Sequence, residues 1–193
     1  MSRLPELRRD QLPPEALAVW EAVVGTRGSR LETPGGGLAG PFNAFLHAPA
    51  IGGKLTELGA TLRYGTTLDR RLTEVAIITV GARWKAEFEW WAHARMASRH
   101  GVPEAVIDAI ASGTSPPFEA GDERVVYLVA HSLATRGVVP QQDYDAARQL
   151  LGDTGIVELV TLCGYYTLIS FLLNAFDVQL PAGTAPRWAP VAD

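Results

Sequence analysis

Sulfur is nearly missing from this chain, whose 193 residues include one cysteine, Cys163. A disulfide framework within the chain is thereby excluded, and with it the small secreted scaffolds that depend on one. Clustered positive charge is missing too: 17 Lys and Arg stand against 21 Asp and Glu, a net charge of −4, and no basic stripe runs along any segment. Nucleic acid is a poor partner for such a chain, because binding it draws on phosphate neutralisation by Lys and Arg. The opening stretch MSRLPELRRDQLPPEAL scatters its charges and lacks the apolar core of a secretory signal, so a cytoplasmic location is expected.

Long apolar runs are scarce, and one stands out. Residues 159–176, LVTLCGYYTLISFLLNAF, are uncharged over eighteen positions, which reaches the threshold for a membrane span. A glycine, two tyrosines, two threonines, a serine and an asparagine interrupt the run, and Glu158 and Asp177 bound it with no basic flank. It reads as a buried helix of a folded protein, covered in part by a sister subunit.

What is present is the composition of a folding chain, 47% hydrophobic and 20% charged, in a length that buries a core unaided. One domain is expected over residues 1–193, with a Gly/Pro-rich loop at 26–40 and an irregular tail at 181–193. The punctuation marks helices rather than strands. Prolines suited to a first turn place a helix over residues 14–24. PFNAFLHAP supplies one or two further turns, and PAIGGKLTELGATLRYG a helix to about Arg63. Leu72, Val75, Ile78 and Ala82 recur at helical spacing, the next segment runs to His100 with Gly101 as its stop, and another runs from Pro103 to Gly113. Two more helical segments follow, PQQDYDAARQLLG being the second, before the apolar run. The sum is an all-α bundle of about eight helices.

The chemistry concentrates in FEWWAHARM, residues 88–96. Glu89 and His93 are four residues apart and lie on one helix face, where such a pair on a surface is worth roughly a few tenths of a kcal/mol. Trp84, Phe88, Trp90 and Trp91 surround that face with aromatic area, which points to a packed setting. There a carboxylate resists ionising and the imidazole answers to its acidic neighbour, so both titrate near neutrality, the condition for general acid/base work. Glu74 is the third member. A charge inside LTEVAIITVG must be paired if buried, and a histidine on the following helix can pair it.

Two glutamates and a histidine also suit a metal, but the chain has no HExxH and no second histidine on that face, so neither metal nor cofactor is expected. Cys163 sits in the apolar run without a basic neighbour to activate it. His47 and His131 read as core or capping residues, and His100 as an ordinary C-terminal helix residue. Trp90, Trp91, Phe42, Asn43, Tyr64 and Arg83 are assigned to the walls of a substrate pocket.

The run RRLTEVAIITVGARWKAEFEWWAHARMASRHGVPEAVIDAIASG resembles the carboxymuconolactone decarboxylase family, which includes the AhpD-type alkylhydroperoxidases, and GPFNAFLHAPAIGGKLTELGATLRYG supports the likeness more loosely. The resemblance implies an AhpD-like all-α fold assembled as a homo-oligomer, commonly a trimer or hexamer. In the peroxidase branch a glutamate is followed after twelve and fifteen residues by the two cysteines of a CxxC, and four residues later by a histidine. Glu74 and His93 fall on the glutamate and histidine positions, while Ala86 and Glu89 fall on the two cysteines. A peroxide-reducing cycle needs an attacking and a resolving thiol, so the chain is similar to a cysteine-free branch instead.

Taken with the acid/base residues, the resemblance implies a cofactor-independent lyase or isomerase, decarboxylase-like, acting on a small organic acid or lactone. His93 is expected as general acid/base, Glu89 as its partner or a second acid/base, and Glu74 as the orienting carboxylate. An alkylhydroperoxidase and a non-catalytic oligomer that binds a small ligand are the alternatives. Beyond a small-molecule substrate and copies of itself, no partner, nucleic acid or membrane, is expected.

Overall fold

Prolines open and glycines close most of the helices, and these residues set the boundaries. A computed structural model describes residues 2–189. Among the described residues there are eight α-helices: α1 (Pro14–Arg27), α2 (Phe42–His47), α3 (Pro49–Tyr64), α4 (Arg70–Arg83), α5 (Glu87–Arg99), α6 (Glu104–Ser112), α7 (Gly121–Arg136) and α8 (Gln141–Ala175). Among the same residues no strand forms, only an isolated antiparallel bridge between Glu32 and Leu38. Among the described residues the backbone divides into two compact units, one running to Gly65 and taking in Leu172–Gln179, the other comprising Thr66–Phe171 and residues 180–189.

In the first unit α1, α2 and α3 pack on one another around Val19, Trp20, Val23, Phe45, Leu46 and Leu62. α1 continues through Gly25, past the expected stop at residue 24, and ends only where Gly28 turns left-handed at φ 85°. α2 and α3 meet so closely at Gly52 that a Cβ there would lie 2.3 Å from the Phe45 carbonyl oxygen, so no larger residue fits. Ser2 Oγ and Arg3 N–H both donate to the Phe176 carbonyl, and the Arg3 guanidinium donates to Ala175, which satisfies acceptors that the end of α8 leaves open. His47 and His131 are exposed rather than core residues. His47 Nε2 lies 3.0 Å from the Pro5 carbonyl in this unit, and His131 stacks on Tyr127 in the other.

The second unit is built around α4, which packs against α5, α6 and α7. Asp69 caps α4 by accepting the Arg71 N–H at 2.8 Å. Every residue from Leu72 through Gly81 is buried. The four-residue stripe expected there understates the burial, because neighbours surround the helix on all sides and Ala82 is its less buried end. Beside that core, Arg71 on α4 holds Asp122 at 2.6 Å and Glu123 at 2.5 Å on α7.

α8 joins what read as two helical segments, and Gly152, at φ 69° and ψ 178°, marks the kink between them. Leu159, Leu162, Tyr166 and Ile169 lie on its buried face, whereas Val157, Val160, Leu168 and Phe171 form an exposed stripe on the opposite one. It is long and apolar enough to cross a membrane, and half of its most apolar window is buried inside the protein. Residues 181–189 are irregular, and residues 190–193 of the expected tail lie outside the described residues.

Candidate functional site

The connector Trp84-Lys85-Ala86 turns α4 into α5. Lys85 adopts φ 48°, a left-handed conformation that costs a residue with a Cβ about 1 kcal/mol. The turn lets Ala86 N–H bond the Gly81 carbonyl at 3.0 Å and start α5 at once. Gly81 is also where the helices close on each other: a Cβ there would lie 3.7 Å from Glu89 Cγ. With α5 held this near, its Glu89 and His93 face Glu74 on α4.

The three side chains form a chain with the imidazole in the middle. His93 Nδ1 lies 2.6 Å from Glu74 Oε2, and His93 Nε2 lies 2.9 Å from Glu89 Oε1. Relative exposure is 1% for Glu74, 4% for Glu89 and 6% for His93, so this is a buried cluster rather than a surface pair. A neutral imidazole has one N–H and one lone pair. Satisfying both carboxylates therefore takes one more proton, placed on the imidazole or on a carboxyl.

Burial is the largest single influence on His93 and disfavours its charged form. Attraction to Glu74 and Glu89 and the hydrogen bonds to both outweigh it together and push the imidazole up to about 9. At neutral pH the ring thus holds both protons and donates to both carboxylates. Among the described residues no three His, Cys, Asp or Glu side chains converge as a metal-ligand set. In this cluster each ring nitrogen faces a carboxylate instead of a shared point.

The pocket residues inferred from the sequence have separate settings. Trp90, 7% exposed, packs its ring edge-on against Trp188 at 5.3 Å. Trp91 is only half-buried, pairs with Phe88 at 5.4 Å and carries Arg95 over its ring. At 100° per residue it points about 160° away from His93. Arg83 is exposed, with its guanidinium over Trp84. Phe42, Asn43 and Tyr64 belong to the first unit. There Phe42 packs on Phe45 and lies beneath Arg27, Asn43 bonds the backbone of Pro5 and Leu7, and Tyr64 is half exposed beside Arg63.

Two aromatic groups that the sequence reading did not assign lie nearby, Tyr166 against His93 and Trp188 against Trp90. Tyr166 of α8, 4% exposed, meets the His93 ring edge-on at 5.1 Å and is itself packed by Tyr165 at 5.3 Å. Trp188 of the tail donates its indole N–H to Ala111, while Glu87 accepts the backbone N–H groups of Arg187 and Trp188 at 2.8 and 2.7 Å. Paired tyrosines in an apolar helix and a tryptophan in a proline-bounded tail were the available signals. Cys163 is buried, and burial pushes its thiol up to about 12, far from a reactive thiolate.

No protein-family model and no curated protein sequence matches the chain. Solved structures do. An uncharacterized peroxidase-related protein from Ralstonia eutropha JMP134, described as an alkylhydroperoxidase AhpD core, superposes with a TM-score of 0.74 at 16% identity, over 94% of this chain and 93% of that one. An uncharacterized peroxidase-related protein from Silicibacter sp. TM1040 gives 0.72 at 16% identity, over 94% and 92%. The debrominase Bmp8 in its apo form gives 0.71 at 13% identity, over 92% and 91%. The all-helical fold is AhpD-like.

Proposed function

We propose that the protein is a cofactor-independent enzyme that moves protons on a small organic acid or lactone, as a lyase or isomerase. The observation that carries this reading is the buried Glu74–His93–Glu89 chain, in which a histidine lies between two carboxylates at 2.6 and 2.9 Å. Such a chain can deliver a proton at one end and recover it from the other with no redox partner. His93 is the proton-carrying member, Glu89 its partner or the second acid/base, and Glu74 the orienting carboxylate. Two of the proteins that share the fold are described as peroxidase-related and one as a debrominase, which supports an enzyme acting on small molecules.

Peroxide reduction by thiols is disfavoured here, since Ala86 and Glu89 occupy the positions that correspond to the paired cysteines, and Cys163 is buried and hard to ionise. The decisive test is His93→Ala, which should cut turnover by roughly 100-fold or more if this ring transfers protons in the slow step. Unchanged turnover removes it from the mechanism.

The same reading includes a cytoplasmic homo-oligomer, trimer or hexamer. Val157, Val160, Leu168 and Phe171 supply it with an exposed apolar stripe. Light scattering should find more than one chain per particle, and Val157→Glu should lower that number; a wild-type monomer would remove the assembly from the proposal.

A further inference from the structure

The first unit holds a groove that the proton-transfer reading does not use. Leu17 and Trp20 of α1 line it, together with Arg8, Arg9 and Asp10 from the N-terminal segment and Glu32 from the loop after α1. Its volume is about 520 Å³, inside the range of roughly 300–1,000 Å³ that small-molecule sites occupy. The loop turns at Gly36, φ 84°, where the Gly36 N–H donates to Thr33 and the Thr33 N–H to Gly37, each at 2.9 Å. Thr33 Oγ donates to the Glu6 carboxylate, whose side chain fills the space that a Cβ on Gly35 or Gly37 would need. The Arg9 N–H reaches the Gly36 carbonyl at 3.4 Å. These ties hold the N-terminal segment and the loop together as one frame around the groove.

Two features of the lining lack a partner. Trp20 is 2% exposed, and the part that solvent reaches includes its indole N–H, which finds no acceptor among the described residues. A donor left so in a nearly sealed ring favours a ligand that brings an acceptor to it. Charge is the second feature. Two guanidinium groups and two carboxylates line the groove, yet among the described residues no ion pair joins either arginine to Asp10 or Glu32. Arg9 has only a long contact to Glu21 on α1, at 3.8 Å, with both side chains largely exposed. The lining carries no net charge, so its field as a whole draws neither a plain anion nor a plain cation. Opposite charges that share a groove without meeting suit a ligand that carries both signs.

We infer that this groove binds a zwitterionic α-amino acid with an apolar side chain. The ligand carboxylate meets Arg8 and Arg9, whose planar guanidinium groups match its geometry, and accepts from the Trp20 indole N–H. The ligand ammonium meets Asp10 and Glu32, and the apolar side chain covers Leu17. Arg9 and Asp10 line the groove from one 3-10 turn, Arg9–Gln11, so the two signs stand close together. That suits an α-amino acid, whose ammonium and carboxylate share one carbon. The charged rim is exposed, and each charge contact is therefore worth about fivefold in affinity, the level of a solvated ion pair. The site stands on the first unit alone and is independent of the Glu74–His93–Glu89 cluster.

The test uses the full chain, labelled with 13C and 15N, so that the indole resonance of Trp20 is assigned through its backbone. It is titrated with L-phenylalanine and with two compounds of similar size that each lack one charge, 3-phenylpropanoate and 2-phenylethylamine. Phenylalanine is expected to move the Trp20 indole resonance, with an affinity about fivefold or more above either analogue. Arg8→Gln should weaken phenylalanine and 3-phenylpropanoate by about fivefold without weakening 2-phenylethylamine. Asp10→Asn combined with Glu32→Gln should weaken phenylalanine and 2-phenylethylamine by about fivefold without weakening 3-phenylpropanoate. All three positions are exposed, so these variants keep the fold. An analogue that binds as tightly as phenylalanine overturns the selection for both charges. Phenylalanine that leaves the Trp20 indole in place overturns the site itself. Variants that weaken all three compounds alike, or none of them, overturn the assignment of the charges.

Discussion

Helix α4 carries two ionic clusters of the same arithmetic, one cation between two carboxylates, starting three residues apart. At Arg71 the cation is a guanidinium that reaches Asp122 and Glu123 on α7. At Glu74 the helix supplies a carboxylate, and the cation is His93, shared with Glu89 on α5. Hydrogen bonds donated to the two carboxylates hold the guanidinium ionised far above any working pH, so the first cluster pins two helices together and exchanges nothing. The second uses a ring that titrates near 9 and can give its proton up. What separates a strut from a relay in this molecule is the identity of the cation, not the depth of its carboxylates: Glu123 and Glu89 are both nearly sealed, at 2% and 4% exposure.

The widest separation between the clusters should appear in turnover. His93→Ala is expected to lose roughly 100-fold or more, whereas Arg71→Met, measured per folded molecule, should stay within about twofold because the guanidinium meets no reacting group. A large catalytic loss in Arg71→Met would break the comparison by making the strut part of the relay.

Proton linkage gives the next effect. The folded-state value of His93, about 9, lies above its ordinary 6.5, so the stability it contributes is fully present below about 6.5 and is lost as pH rises through about 9. The loss is of order 3 kcal/mol at most, by the conversion of about 1.4 kcal/mol per pH unit. Urea unfolding at a series of pH values from 6 to 10 should show the decline, and His93→Gln should flatten it. The Arg71 cluster has no such slope over that range, because its cation keeps its proton. Arg71→Met should instead lower stability by about 2 kcal/mol at every pH in the series, a buried-pair cost discounted for the partial exposure of Arg71 and Asp122. A pH-dependent penalty in Arg71→Met would assign the titrating cation to the wrong cluster.

The relay was legible in the sequence to the extent that burial leaves a local mark. Glu74 interrupts an apolar run, which forces a partner, and Glu89 and His93 share a face by spacing alone. Two helix ends were legible for the same kind of reason, since the expected stops Gly101 and Gly113 are left-handed. Gly25 misled because a glycine can continue a helix at a modest cost, and the chain turned at Gly28 instead. Tyr166 against His93 and Trp188 against Trp90 are contacts between residues 73 and 98 positions apart in the numbering. No periodicity reports such pairings, because they are fixed by how helices and tail pack rather than by neighbours in sequence. The sequence did mark the apolar half of α8 as buried, but only the fold shows which face carries Tyr166 inward and which leaves Val157 and Phe171 exposed.

The smallest effect expected is also a check on the relay's identity. Cys163 lies in the same unit, 3% exposed, with its thiol pushed up to about 12. If the Glu74–His93 pair served a thiolate, Cys163→Ser would abolish consumption of peroxide. In the proton-relay reading the serine changes no reaction and costs only the burial of a hydroxyl, about 1 kcal/mol where a helix carbonyl can accept from it. Peroxide decay and thermal unfolding on the one variant decide the matter. A modest drop in melting temperature with unchanged turnover keeps the relay free of sulfur, and loss of peroxide consumption would return the cluster to thiol chemistry.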